Sequence, residues 1–346
     1  MKANLSRRDF LKLSAASLIG LGFRSNFDDP ATQDTGSIIR VGSESVSVYS
    51  QPWDQSRIRF QRFRDEIVHV YETVTSPHGP GYNPIWYRVW GGYIHSAYVQ
   101  KVRYEPEPLL VTIPEKGQLA EVSVPYSQAM RYNQYTGWTP VYHLYYQSTH
   151  WITAIETGPD GEPWYRVYDE LLRSDYFVQT PHLRAVLPAE LTPLSANIPP
   201  EQKHIEVNLT RQVLKAFEGE RVVFETRISS GMPRRGNLAP AESTETPRGT
   251  FHVQSKMPSK HMGDGKLTDD LKAYEYPGVP WTSFFESVVG IAFHGTYWHT
   301  NYGVPMSHGC INMRPEEAKW IFRWTTPVAD GSEIEKRGMG TLVEVI

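Results

Sequence analysis

Trp86-Tyr87-Arg88-Val89 returns 78 residues later as Trp164-Tyr165-Arg166-Val167, and Tyr98-Val99-Gln100 returns one residue out of step as Phe177-Val178-Gln179. Recurrence at a fixed offset is the mark of a duplicated unit. The repeat predicts two related modules, at about 36–105 and 106–185. The first is written in short alternating runs, such as 38–41, 46–49 and 67–71, broken by turn residues. Gly91-Gly92 reads as the turn of a hairpin in the first copy. The second copy carries Asp169-Glu170 there, so its tip is expected to differ. With 20 Tyr, 10 Trp, 26 Gly and 26 Pro, the chain favours strands and turns over long helices. The predicted fold class is mainly β, opening with two small β-barrels.

A chain of 346 residues exceeds what one core usually organises. Five prolines between 181 and 200 suggest a linker over 186–201, and a third unit over 202–346 that should fold alone from about Glu201. Runs at 212–217 and 221–226 flank Gly219 as a hairpin. One helix is expected from Pro315, with Glu316 and Glu317 in its first turn and Ala318, Ile321 and Phe322 on one face. A net charge of −3 gives no electrostatic case for nucleic acid. At the N-terminus, Ser6-Arg7-Arg8-Asp9-Phe10-Leu11-Lys12 precedes an apolar stretch to Phe23 and resembles a twin-arginine (Tat) export signal. Residues 1–35 are therefore expected to be a signal with a polar linker. The apolar stretch is too short for a comfortable bilayer span, so membrane attachment would come only through an uncleaved signal segment. The string from Trp86 to Val99 resembles the end of bacterial SH3-like domains. Trp86, Tyr93, Trp138 and Trp164 then offer either a stacking groove for wall material or core packing.

The single cysteine, Cys310, excludes an intrachain disulfide. A thiol needs a base or an electropositive setting to attack a carbonyl. His308 stands two residues before it and His294 sixteen before it. Gly309 permits a sharp turn and, with Cys310, could offer amides to an oxyanion. A His2Cys zinc set from His294, His308 and Cys310, with His299 nearby, is the metal-centred rival.

His294, a gap of twelve residues and then Ser307-His308-Gly309-Cys310-Ile311-Asn312 resemble the signature of the L,D-transpeptidase catalytic domain, the YkuD family. Thr246-Pro247-Arg248-Gly249-Thr250-Phe251 and the Gly340-Thr341-Leu342-Val343 ending support the resemblance, which covers about 202–346. It implies a β-sandwich with one or more short helices. It also implies a cysteine acyltransferase that needs no cofactor or metal and acts on peptidoglycan stem peptides as donor and acceptor in the cell envelope. Cys310 would be the nucleophile and His294 its base, steered by a backbone carbonyl. Ser307, His308 and Gly309 would shape the site. The thiolate is expected to be stabilised beside an imidazolium. Arg314, Asn312, Tyr297, Trp298, His252 and Lys256 are candidates for substrate binding, although the family's Arg directly after Ile is here Asn312. The reaction implied is 3-3 crosslinking with release of D-Ala. The alternatives are L,D-carboxypeptidation and non-catalytic wall binding. An NlpC/P60-type peptidase is disfavoured, because there the cysteine precedes its histidine.

Overall fold

The first 65 described residues alternate buried and exposed positions over short strands, the pattern of a sheet with one face inward. The structure, a computed structural model, describes residues 37–233 and 244–346; the export signal expected at 1–35 lies outside them. The first sheet contains β1 (Ile38–Val41), β2 (Ser45–Tyr49), β3 (Ile58–Phe63), β4 (Ile67–Thr75), β5 (Ile85–Val89), β6 (Gly92–His95) and β7 (Val99–Val102). Its order is β3-β2-β6-β5-β4-β1-β7. The expected hairpin is β5–β6, with Val89 opposite Gly92. Gly92 has to be glycine, since a Cβ there would lie 2.1 Å from the Tyr49 carbonyl oxygen.

The second sheet contains β8 (Gln118–Val122), β9 (Tyr126–Asn133), β10 (Gly137–Tyr145), β11 (Thr149–Thr157), β12 (Pro163–Asp169), β13 (Ser174–Gln179) and β14 (Leu183–Ala185). Its order, β10-β9-β13-β12-β11-β8-β14, repeats the first strand for strand, with β5 and β12 in the same place. The two Trp-Tyr-Arg-Val strings therefore occupy equivalent strands. Both tryptophans are buried, Trp86 at 0% and Trp164 at 4% exposure, on the strand face opposite the core residues Tyr87 and Val89, and Tyr165 and Val167. Trp86 thus has no face to offer a ligand, whereas Trp164 still borders a cavity with Tyr104, Tyr126 and His182.

The C-terminal region has two five-stranded sheets. One is β17-β16-β15-β24-β18, from β15 (Lys203–Asn208), β16 (Val213–Glu218), β17 (Arg221–Arg227), β18 (Gly249–His252) and β24 (Leu342–Val345). The other is β22-β21-β20-β19-β23, from β19 (Ser255–Gly263), β20 (Glu275–Glu286), β21 (Ile291–Gly295), β22 (Ile311–Met313) and β23 (Lys336–Arg337). Helix α1 (Pro315–Trp324) buries Ala318, Ile321 and Phe322, as the spacing predicts. Its carboxyl end is held by two buried lysines. Lys256 Nζ donates to the Thr325 and Pro327 carbonyls at 2.9 Å each, and Lys203 Nζ donates to the Trp324 carbonyl at 3.2 Å. Cations at this end complement the helix dipole and its unpaired carbonyls.

The apolar cluster around α1 joins Ile205, Val207, Phe293, Ile311, Ile321 and Val343 to Leu119, Trp151, Val186 and Leu191. The second sheet and the proline-rich stretch thus contribute side chains to the same core as the C-terminal sheets. Leu191, inside the stretch read as a linker, is only 3% exposed.

Candidate functional site

His294 and Cys310 are placed on neighbouring strands because β21 and β22 run parallel, with Phe293 opposite Ile311 and His294 opposite Asn312. One residue back along that register, Cys310 falls level with Ala292. Residues opposite one another share a face, as do positions two apart on one strand. The thiol and the imidazole therefore belong to the same face of the sheet.

The imidazole is buried, at 2% exposure. Its Nδ1 lies 3.0 Å from the Gly295 carbonyl oxygen. A carbonyl only accepts, so Nδ1 carries the hydrogen and Nε2 keeps its lone pair. Burial pushes the His294 pKa down to about 4 against the opposing hydrogen bond to Gly295. The Cys310 thiol donates to the Gly290 carbonyl at 3.7 Å. Burial pushes its pKa up to about 11, with a hydrogen bond from the Ala292 main chain working the other way. The resting pair is therefore neutral thiol and neutral imidazole, not the expected thiolate and imidazolium. The desolvation that shields the site penalises both charges.

The turn before Cys310 is built by hydroxyls. Ser307 Oγ donates to the Cys310 carbonyl at 2.5 Å and accepts from the Gly309 amide at 3.0 Å. That engages the Gly309 amide, one of the two expected oxyanion donors. Gly309 sits at φ +126°, and a Cβ there would lie 2.6 Å from Ile291 Cδ1. Its carbonyl accepts from Thr246 Oγ1 at 2.7 Å, and Thr246 Oγ1 itself accepts from the Gly231 amide at 2.8 Å. Ser230 supports the turn from below, its carbonyl accepting from the Ser307 amide at 3.1 Å. Thr246 stands in the recognised Thr-Pro-x-Gly-x-Phe string, but its role was not readable there.

The remaining candidates separate by burial. His308 is exposed on the rim, its ring 5.4 Å from that of Tyr274. Trp298 is half-buried and packs its ring 5.9 Å from His294 and 4.5 Å from Tyr276. Trp298, Tyr276 and Tyr274 thus form an aromatic wall from the base to the rim, and sequence reasoning found only the first of them. Arg314 is half-exposed at the start of α1, bonded to Glu317 at 3.0 Å and lying over the Tyr302 ring.

Three candidates are buried away from substrate, and a fourth, His252, is half-buried. Lys256 is fully buried under α1, and its pKa is pushed down to about 7 by burial and by the nearby Lys203. Tyr297 is 1% exposed, with its hydroxyl on the Pro277 carbonyl at 3.0 Å. His252 donates from Nδ1 to the Gly340 carbonyl at 3.0 Å on β18. Asn312 is buried beside His294 on the neighbouring strand, its main chain paired with Ser229. Its amide meets His299 Nε2 at 2.9 Å. The Asn301 amide donates to His299 Nδ1 at 3.2 Å, which leaves Nε2 protonated. The Asn312 atom facing it is then the amide oxygen, an orientation that also gives a partner to an otherwise unpaired buried oxygen.

A neutral histidine with a free Nε2 beside a shielded thiol is a centre suited to acyl transfer. Residues 202–345 match the family model for YkuD, the L,D-transpeptidase catalytic domain. The chain is 34% identical over 105 residues to L,D-transpeptidase 1 of Mycobacterium tuberculosis, covering 27% of this chain and 38% of that protein. It is 28% identical over 134 residues to YciB of Bacillus subtilis, covering 35% of this chain and 61% of that protein. The chain thus spans less than two thirds of the length of these relatives. Among solved structures, the catalytic domain of the E. faecium L,D-transpeptidase is 30% identical, covering 42% of this chain and 98% of that one, with a TM-score of 0.29. Residues 202–345 therefore belong to the YkuD family of L,D-transpeptidase catalytic domains.

Proposed function

We propose that this chain is an exported L,D-transpeptidase that forms 3-3 crosslinks in peptidoglycan through an acyl-enzyme on Cys310. The observation that carries this reading is the His294–Cys310 pair on one face of two parallel strands, with His294 Nδ1 given to Gly295 and Nε2 left to take a proton. In the first half-reaction Cys310 Sγ attacks the carbonyl of the third stem residue while Nε2 accepts the thiol proton. The amide of Cys310 stabilises the developing oxyanion. The tetrahedral intermediate collapses, the imidazolium protonates the leaving amine, and terminal D-Ala departs. In the second half-reaction an acceptor amine from another stem attacks the thioester, gives its proton to His294 and displaces the thiolate, which is reprotonated. Because the resting pair is neutral, proton transfer accompanies attack and does not precede it.

Ser307 and Thr246 hold the turn, His308 borders the donor's path, and Trp298 and Arg314 serve the donor stem. The two duplicated N-terminal modules, at 36–105 and 106–185, are SH3-like units that place the catalytic domain of 202–346 on the wall. The signal in 1–35 directs the protein through the Tat route to the envelope.

Mass spectrometry of stem tetrapeptides incubated with the full-length protein tests the reading. The expected products are a 3-3 crosslinked dimer and free D-Ala, both lost in Cys310→Ala. A product consisting only of trimmed tripeptide would replace transpeptidation by carboxypeptidation. Unchanged turnover in Cys310→Ala would refute the thiol mechanism.

A further inference from the structure

The segment between the base and the nucleophile leans on the first N-terminal module. Arg40 of β1 is 1% exposed. Its guanidinium donates to Asp65 at 2.9 Å, to Gln100 at 3.0 Å and to the Tyr297 carbonyl at 2.6 Å. It also lies 3.9 Å over the Tyr145 ring of the second sheet. Two residues further on, Gly42 brings its backbone so close that a Cβ would stand 2.7 Å from the Trp298 carbonyl oxygen. Beyond that, the Thr300 amide donates to the Ala97 carbonyl at 2.9 Å. The peptide joining Tyr297 to Trp298 is thus gripped by a module remote in sequence, and the indole it carries is the wall of His294.

Resting on the proposed role of His294, we infer that Arg40 is a positioning residue for the base: by holding the Tyr297 carbonyl it fixes the Trp298 ring against the imidazole. The choice of arginine fits the task. Its planar fork reaches three acceptors in different directions, whereas a lysine ammonium on a flexible stem cannot hold the same geometry. A buried ion pair is a weak source of net stability, because desolvation offsets its attraction. What Arg40 supplies is therefore placement. Misplacing a catalytic group by about 1 Å can cost on the order of a hundredfold in rate.

The test uses the full-length chain with Arg40→Lys, Trp298→Ala and the double variant. The readouts are the His294 imidazole titration by NMR, the rate of Cys310 alkylation against pH, and thermal melting. Arg40→Lys is expected to fold, to raise the His294 midpoint from about 4 toward its ordinary 6.5 as water reaches the ring, and to displace the alkylation profile. Trp298→Ala is expected to do the same. In the double variant the Arg40→Lys effect should vanish, since both substitutions act through one contact. If Arg40→Lys misfolds, Gly42→Ala presses on the same Trp298 carbonyl without touching the charged cluster and should move the same two readouts. A variant that melts lower yet leaves the titration and the alkylation profile unchanged would overturn the inference, as would additive effects in the double variant. None of these readouts needs turnover. Failure to crosslink peptides with a responsive His294 would remove the proposed reaction and leave the positioning role. Normal crosslinking with an unresponsive His294 would do the reverse.

Discussion

Thr246 Oγ1 lies 2.7 Å from the Gly309 carbonyl oxygen, so one hydroxyl ties the turn before the nucleophile to a loop some sixty residues upstream. Thr246 Oγ1 in turn accepts from the Gly231 amide. Thr246→Val keeps the shape and leaves a buried carbonyl and a buried amide without their partner. Each such loss costs about 1–3 kcal/mol. Lower stability in chemical denaturation and altered Cys310 labelling are expected together. A change in only the first would mean that the turn holds without Thr246.

The neutral resting pair sets the pH behaviour of the thiol. With the Cys310 pKa at about 11 and His294 at about 4, alkylation of this single cysteine should be slow at neutral pH and climb steadily towards pH 11. A plateau below pH 8 would show that a thiolate–imidazolium pair forms instead. His294→Ala should slow acylation by about 10²–10⁴-fold, the usual worth of a positioned base. His308→Ala, on the exposed rim, should do far less to the labelling profile.

Buried His261 donates from both ring nitrogens, to Asp169 at 2.7 Å and to Glu275 at 2.8 Å. Lys260 and Glu170 pair beside it at 2.8 Å, and Tyr142 and His150 close the cluster. Burial works to lower the His261 pKa, but the two carboxylates outweigh it and raise the value above 6.5. A raised folded value means stability that is fully present below pH 6.5 and is lost as pH rises through the folded pKa. At pH 6, His261→Gln should cost about 3–5 kcal/mol, as expected for removing one partner from a buried ionic group. The difference from the native protein should shrink as the pH is raised. A gap that stays constant from pH 6 to pH 9 in urea titrations would contradict this.

A fragment starting at Glu201 should melt well below the full chain. It exposes the surfaces that Leu119, Trp151 and Leu191 cover, and frees the 297–300 segment from Arg40 and Ala97. Calorimetry of the fragment beside the full chain decides this. Equal melting temperatures would mean that the C-terminal sheets are self-sufficient.

Much of this architecture was legible because local rules write it. The duplicated Trp-Tyr-Arg-Val strands, the Gly91-Gly92 hairpin and the helix opening at Pro315 follow from alternation, turn chemistry and capping. His294 and Cys310 were legible from motif spacing. Lys256 was misread because a lysine on a strand looks solvated, and only the end of α1, some 70 residues later, explains its burial. Arg40 was missed for a related reason. Its key acceptor lies 257 residues away, and contacts between modules leave no period in either segment. The neutral state of the catalytic pair was also out of reach, since desolvation depends on everything packed around it.

The two copies of the seven-stranded sheet share one wiring, yet their hairpin tips now answer to different selective demands. Gly91-Gly92 must only turn tightly past Tyr49. Asp169-Glu170 grips His261 and Lys260 on a neighbouring hairpin. Drift in the first tip is limited by its own backbone, whereas drift in the second must be matched by compensating change at 260, 261 and 275. Among chains of this architecture, the second copy's tip should therefore co-vary with the catalytic region, and the first copy's tip should vary independently of it.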